Sequence, residues 1–433
     1  MGRQSARLYF QGKDHKDIYF NGHYHDQMYL SDGEGNATLV WEKIKEGIFK
    51  FLIMPIDTFE FEVQGSVHID WGDGESSDFE SMEALRICRH SYTKSAKFMV
   101  QIRGDIQNIR FWSGYRYSSD ALIEILTKLP KTMEKITQLT GLCYGDTRLE
   151  RIPAGLFDNC PNVERFDSAF MRCKSLKNIP AGLFDNCPNA KNFYNAFSSC
   201  SGLERIPAGL FDNCPNAESF GSTFSGCSGL ECIPAGLFKN CPEAVQFQYT
   251  FAYCTGLTSI PSDIFADSIN ASDFGATFYD CLKLTYIPSG LFDNCPNAEN
   301  FGSTFSSCSG LERIPAGLFK NCPEAVQFQY TFANCTGLTS IPSDIFADSI
   351  NASDFGYTFF NCSNLTYIPG GLFDGRPNVE SFEQTFNSCD NVVSNVPELW
   401  KTHESTKEHT ACFNGCDKAE NFKDIPASWY YFH

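Results

Sequence analysis

The chain has 433 residues, 42% of them hydrophobic, and carries 34 basic against 52 acidic residues for a formal net charge of −18. That length and apolar content support a sizeable buried core, while the acidic balance argues against nucleic acid, whose phosphate backbone needs a basic surface. No run approaches the roughly 18 apolar residues of a membrane span, and the opening MGRQSARLYFQG lacks the apolar stretch of a signal peptide, so neither a span nor a standard secretory leader is expected.

From the front, Leu8-Tyr9-Phe10, Ile18-Tyr19-Phe20 and Met28-Tyr29-Leu30 recur at steps of ten. Gln11-Gly12, Asn21-Gly22 and Asp32-Gly33 follow them, and the run ends at Ala37–Trp41. RLYFQG alone resembles a protease-site remnant, but the ten-residue beat favours native sequence. The pattern predicts a short β-meander over residues 1–45 with Asn-Gly and Asp-Gly turns.

Between Phe49 and Trp112 come the strand-like runs FKFLIM, TFEFEV, SVHIDW, KFMVQI and NIRFW, with the turn Trp71-Gly72-Asp73-Gly74 and the triplet His90-Ser91-Tyr92 among them. Gly72 and Gly74 supply the positive φ of a tight turn, and Asp70 and Asp73 are placed to bond its amides, a structural job preferred over calcium binding. This W-G-D-G turn followed by an H-x-Y strand resembles PKD-like, immunoglobulin-type modules. The resemblance implies a β-sandwich over residues 46–118 that spaces or presents other domains. Residues 119–150, with ALIEILTKL, read as a helical region capping the C-terminal remainder of the chain.

From Pro153 the dipeptide Ile-Pro recurs every 27 residues up to Pro369, with looser echoes at Pro397 and Pro426. One unit reads L-x-x-I-P-x-G-L-F-x-N-C-P-x-A-x-x-F-x-x-T-F-x-x-C-x-x, and a fixed long period of this kind is the signature of a solenoid. A first cysteine series keeps the 27-residue step from Cys173 to Cys416. A second, Cys160, Cys187, Cys214, Cys241, Cys295 and Cys322, sits 13 residues ahead of it and is interrupted by Ser268, Ser349 and Arg376. Coils stacked about 4.8 Å apart turn each series into an internal column. A disulfide ladder would strand Cys241 and Cys295 without a neighbour, whereas a small buried thiol needs no pairing and tolerates serine. Buried free thiols are therefore expected.

No C-x-x-C knuckle is present, and spacings of 13 and 14 do not build a tetrahedral metal site. One local exception, His403, His409, Cys412 and Cys416, offers four candidate ligands near the C-terminus, although a degenerate capping repeat explains it better. No cofactor is expected.

Residues 215–281 and 296–362 align without a gap and differ at seven positions: Ser219/Asn300, Gly226/Ser307, Cys232/Arg313, Tyr253/Asn334, Ala276/Tyr357, Tyr279/Phe360 and Asp280/Asn361. Five of these fall one, two or five residues before a ladder cysteine, so they share a narrow stripe. Either exposed positions drift there, or a binding face is being varied. Tyr249, Tyr253, Tyr279, Tyr330, Asn334, Tyr357 and Phe360 are the candidate contact residues, since exposed rings stack on sugars or anchor protein partners.

The F-x-x-C-x-x-L-x-x-I-P run resembles BspA-type leucine-rich repeats of bacterial surface and phage-associated proteins. It departs from them in its 27-residue length and in placing Phe where Leu is usual. The fold expected is thus a leucine-rich-repeat-like solenoid over residues 151–433 with a degenerate C-terminal cap, preceded by the sandwich and the meander. The Tyr-rich N-terminus, the PKD-like module and the repeats together look like phage or prophage tail proteins.

No nucleophile elbow, P-loop or H-E-x-x-H motif occurs, and no histidine lies between His90 and His403, so an enzyme is not expected. The leading expectation is a virion protein that docks to tail proteins through its N-terminus and recognises a host-surface protein or glycan through the solenoid. The alternative is a bacterial cell-surface adhesin, and a structural component of a larger assembly comes third. A homo-oligomer is compatible with each.

Overall fold

A 27-residue unit that buries Leu, Ile, Phe and Cys at fixed positions cannot cover its own apolar face, so it must stack. The computed structural model, which describes residues 9–10, 13–14, 18–20, 27–31, 37–42, 48–113, 117–118 and 120–431, shows that stack. Parallel bridges join residue i to i+27 along one edge from Gln138↔Arg165 to Ser381↔Glu408, and along a second from Glu124↔Arg151 to Ser340↔Tyr367. Three columns of Phe fill the interior. In the one running from Phe166 to Phe382 the rings lie nearly parallel at 5.5–5.9 Å, as in Phe247–Phe274 and Phe355–Phe382. The flat ring matches the rise of one coil, which explains why Phe stands where a leucine-rich repeat usually has Leu.

Both cysteine series are internal columns, as expected, and all of their members are buried free thiols. In the first column Cys173 Sγ donates to Cys143 O at 3.1 Å and each later Sγ to a Phe carbonyl of the preceding coil, for example Cys254 to Phe224 at 3.2 Å. A third polar column, Thr223 to Thr385, is fully buried, and Thr250 Oγ1 donates to Phe220 O at 3.0 Å and to Phe247 O at 2.6 Å. These side chains satisfy carbonyls that the coil geometry leaves facing the core.

Ahead of the stack, strands β6 (Ile48–Ile53), β7 (Thr58–Asp70), β8 (Ser76–Ser91), β9 (Phe98–Arg110) and β12 (Leu122–Ile125) form one sheet in the order β12-β6-β9-β7-β8, in which β12 and β6, β9 and β7, and β7 and β8 pair antiparallel. Between β9 and β12, the short strands β10 (Trp112–Ser113) and β11 (Tyr117–Ser118) pair with each other. A two-sheet sandwich was the expectation for residues 46–118; β6, β7, β8 and β9 instead hydrogen-bond, together with β12, as a single sheet. The cause lies in β7. TFEFEV and SVHIDW read as two strands but are one, because Gly65 carries φ 136° in a bulge where a Cβ would meet Asp105 O at 1.8 Å. The chain shifts register there and continues with Phe59, Phe61, Val63, Val67 and Ile69 on the buried face.

The Trp71–Glu75 turn does the structural work its residues suggested. Asp70 Oδ1 accepts from Gly72 N at 3.0 Å, Asp73 Oδ1 accepts from Glu75 N at 3.1 Å, and Trp71 stacks on His90 at 4.8 Å. Tyr92 donates its hydroxyl to Trp71 O at 3.0 Å.

The capping helix expected within residues 119–150 is replaced by β12. Leu122 pairs with Ile53 and Ile125 with Phe51, while Glu124 bridges Arg151 of the first full coil and forms an ion pair with it at 3.4 Å. A helix would cover the apolar end of the stack, but a strand also satisfies the edge of unpaired backbone groups, and so it fits better. The coil geometry accordingly starts before residue 151, with Gln138 already on the first bridge column.

At the far end Phe413 N donates to Trp429 O at 2.9 Å, and Trp429 stacks on His409 at 4.5 Å, closing the last coil. A short helix α1 (Leu399–Thr402) lies in this cap.

The N-terminal unit, residues 1–48, contains a hairpin of β1 (Tyr9–Phe10) and β2 (Lys13–Asp14). It also has an antiparallel sheet in which β3 (Ile18–Phe20), β4 (Gln27–Ser31) and β5 (Ala37–Glu42) neighbour one another in chain order. The turns expected at Gln11-Gly12, Asn21-Gly22 and Asp32-Gly33 lie outside the described residues.

Candidate functional site

Each coil contains an arc of two successive tight turns ending on a ladder cysteine. In the coil of Tyr249, Thr250 N bonds Phe247 O at 3.1 Å and Cys254 N bonds Phe251 O at 3.2 Å, with φ 57° at Tyr249 and 60° at Tyr253. A positive φ at the third residue of a turn suits Gly or Asn and strains residues with a bulky side chain. Along the stack these positions hold Gly141, Gly145, Asn195, Gly226, Ser303 and Asn361, as the geometry favours. Other coils place Ala276, Asp280, Arg172 or Gln384 there, and four tyrosines, Tyr249, Tyr253, Tyr330 and Tyr357, adopt φ of 57–60°. Tyr249 and Tyr253 are each 47% exposed and Tyr330 is 40% exposed.

The candidate contact residues all map to this arc. Tyr253 packs edge-on to Tyr279 at 5.2 Å, and Tyr330 stacks on Tyr357 at 4.5 Å with 11° between the rings. Phe360 lies beside Tyr357 at 5.8 Å, and Asn334 Oδ1 accepts from Asn361 Nδ2 at 3.0 Å. Tyr357 donates its hydroxyl to Glu383 Oε1 at 3.0 Å. Partial burial together with that carboxylate holds its phenol up at about 12. The structure thus gathers the seven residues into two clusters, Tyr249–Tyr253–Tyr279 and Tyr330–Asn334–Tyr357–Phe360, whose leading tyrosines stand three coils apart.

Between the clusters lies a trough of about 260 Å³. Gln248 and Tyr249 form one wall and Gln329 the other. Gly275, Ala276, Gly302 and Ser303 make its floor, and Asp273 and Asn300 flank it. The Gln residues were missed from sequence, although Gln248 and Gln329 stand three repeats apart with Gly275 and Gly302 at the equivalent places between them. Gly275 and Gly302 keep the floor low: a Cβ on either would come within 3.2 Å of the Asn300 side chain. Asp273 Oδ1 accepts from Gly275 N at 2.9 Å and from Asn300 Nδ2 at 2.9 Å, which fixes the flank. The amides of Tyr249, Ala276 and Ser303 are bonded to the next coil at 2.8–2.9 Å, so these three donors are not open to a ligand.

The four C-terminal candidates for metal binding occupy four different columns of the cap. His403 follows Arg376 in the second cysteine column and its Nε2 lies 3.2 Å from Arg376 O. His409 takes a Phe position and stacks on Trp429. Cys412 takes the Thr position, and Cys416 donates to Phe386 O at 3.5 Å. Among the described residues no group of three or more His, Cys, Asp or Glu is placed to hold a metal ion. No described helix is long and apolar enough to cross a membrane.

The profile of the BspA type leucine-rich repeat region matches six copies across residues 146–431. The chain belongs to the BspA-type leucine-rich repeat family. The stacked 27-residue coils are therefore BspA-type repeats, with Phe columns where Leu is usual. A crystal structure described as a leucine rich cell surface protein from Faecalibacterium prausnitzii A2-165 is 17% identical, with 90% of this chain and 97% of that one covered and a TM-score of 0.30. No curated protein matches the chain. The PKD-like likeness of residues 46–118 and the likeness to phage tail proteins have no counterpart in these comparisons.

Proposed function

We propose that the chain is a non-enzymatic recognition protein of a bacterial cell surface whose BspA-type solenoid presents the tyrosine-bearing arc to a surface protein or glycan. The family match supports a repeat scaffold of the kind that displays a long contact surface. The alternative weighed from sequence, a surface adhesin, is thereby favoured over the virion protein, which draws no support from family or fold.

One observation carries this reading. Four tyrosines hold left-handed backbone positions that several other coils give to Gly, Asn or Ser, and three of them remain 40–47% exposed. Strain of this kind costs on the order of 1–2 kcal/mol per residue, and at Tyr249, Tyr253 and Tyr330 it leaves a ring 40–47% exposed, which supports a use in contact with something outside the chain. The test replaces Tyr249, Tyr253, Tyr330 and Tyr357 with Ser, Gly, Ser and Ala, the residues of equivalent coils. Attachment of the purified protein to intact bacterial and epithelial cells, read by flow cytometry, is expected to fall at least tenfold while thermal stability stays equal or rises. Undiminished attachment removes the arc from the recognition surface, and absence of attachment by the unsubstituted protein removes the reading.

A further inference from the structure

We infer that the trough between Tyr249 and Gln329 is a binding site for a neutral oligosaccharide, a reading that rests on the surface-recognition role proposed above. Its chemistry is that of a sugar site. The exposed Tyr249 ring offers a flat apolar face at one end, and the stacked Tyr330–Tyr357 pair offers another just beyond Gln329. Three coils, roughly 15 Å, separate these aromatic faces, enough for a short sugar chain laid along the axis. Between them the glycine floor lets a ring lie close to the backbone, and the flank supplies a carboxylate and an amide, Asp273 and Asn300, for hydroxyl groups.

Two polar atoms add to this. The Oε1 atoms of Gln248 and Gln329, the amide walls of the trough, are buried and have no hydrogen-bond donor among the described residues. Rotation of either amide about its terminal bond would turn that acceptor toward a sugar hydroxyl.

The same features disfavour other ligands. A peptide adding as a strand needs free backbone donors, and the amides of Tyr249, Ala276 and Ser303 are all consumed by the next coil. An anionic glycan would meet Asp273 in a chain of net charge −18.

Ala276 gives the test. Its equivalent in the second duplicated block is Tyr357, so the coil already accommodates tyrosine there, and Ala276→Tyr fills the trough without a foreign demand on the fold. The full chain is probed on an array of neutral and acidic oligosaccharides from monosaccharide to hexasaccharide, with affinities then measured by calorimetry. Expected is binding to a neutral oligosaccharide longer than a monosaccharide, weakened at least tenfold by A276Y and by Tyr249→Ala and unchanged by Tyr194→Ala, a partly exposed ring two coils away. Circular dichroism verifies that each variant is folded.

No binding to any neutral glycan, selective binding of acidic glycans, capture of peptides in place of sugars, or sugar binding indifferent to A276Y would each overturn the inference. Cell attachment by the same proteins separates the two readings. If attachment depends on the tyrosines but not on the trough, the inference fails and the surface-recognition role stands.

Discussion

Tyr249 and Cys254 sit five residues apart in one coil, yet one is strained and exposed and the other fully buried with its thiol bonded to Phe224. Burial pushes the Cys254 thiol up to about 12, and its column neighbours are raised for the same reason, with the adjacent thiols adding to it in several cases. A thiol that stays protonated in the native state but ionises in the unfolded chain near pH 9 favours folding fully below that pH and loses the contribution as pH rises toward 12. The unfolding free energy from guanidinium titration is therefore expected to fall above pH 9, by about 1.4 kcal/mol per pH unit for each thiol that ionises only on unfolding. Native protein at pH 8 should react with one equivalent of a thiol reagent, at the exposed Cys232, and with 20 after denaturation. Burial of the cysteines was legible because interruptions by serine and arginine are incompatible with pairing. The left-handed backbone beneath the variable stripe was not read, although Gly226/Ser307 and Asp280/Asn361 carry the residue preference of that conformation.

The second cysteine column shows what one polar atom does to an element. Ser268 and Ser349 replace cysteine there, fully buried, and neither Oγ has a hydrogen-bond partner among the described residues. An orphaned buried hydroxyl costs about 1–3 kcal/mol, whereas sulfur tolerates an apolar setting. Ser268→Cys and Ser349→Cys are each expected to raise stability by about 1 kcal/mol in a denaturant titration; a loss would mean that the column has no room for sulfur at those coils. Arg376 solves the same position differently, reaching across to donate to Phe346 O and to the carbonyl of Asp374.

Elsewhere the elements were less legible. ALIEILTKL has helical periodicity, but its place beside β6 and the first coil makes it a strand, a tertiary demand that local pattern cannot carry. The single sheet was hidden for a related reason. Gly65 reads as a strand break until the close approach of Asp105 shows it to be a bulge within one long strand.

For the whole molecule, stability is a sum over coils and their interfaces, since each coil touches mainly its neighbours. Deleting residues 255–281, one full period ending on a ladder cysteine, should leave a folded protein with an unchanged circular dichroism signature per residue and cooperative unfolding at lower denaturant. Removing half a period, residues 268–281, should abolish that cooperativity, because it brings unlike columns into register. Survival of the half-period deletion would contradict the column account. The 27-residue period made this architecture readable from sequence, and the same repetition hid the site, because its walls are equivalent residues of separate blocks.

Gln248-Tyr249 and Gln329-Tyr330 are the same two residues in two copies of a three-coil block. The gap between them spans the join of the two blocks, and it stays open because the first block carries Ala276 where the second carries Tyr357. A further copy of the first block, which keeps Ala276, would lay down another cleft of identical width beside the first. Lineages carrying more blocks would then differ in valence, holding their target at more points, while the target itself stayed the same.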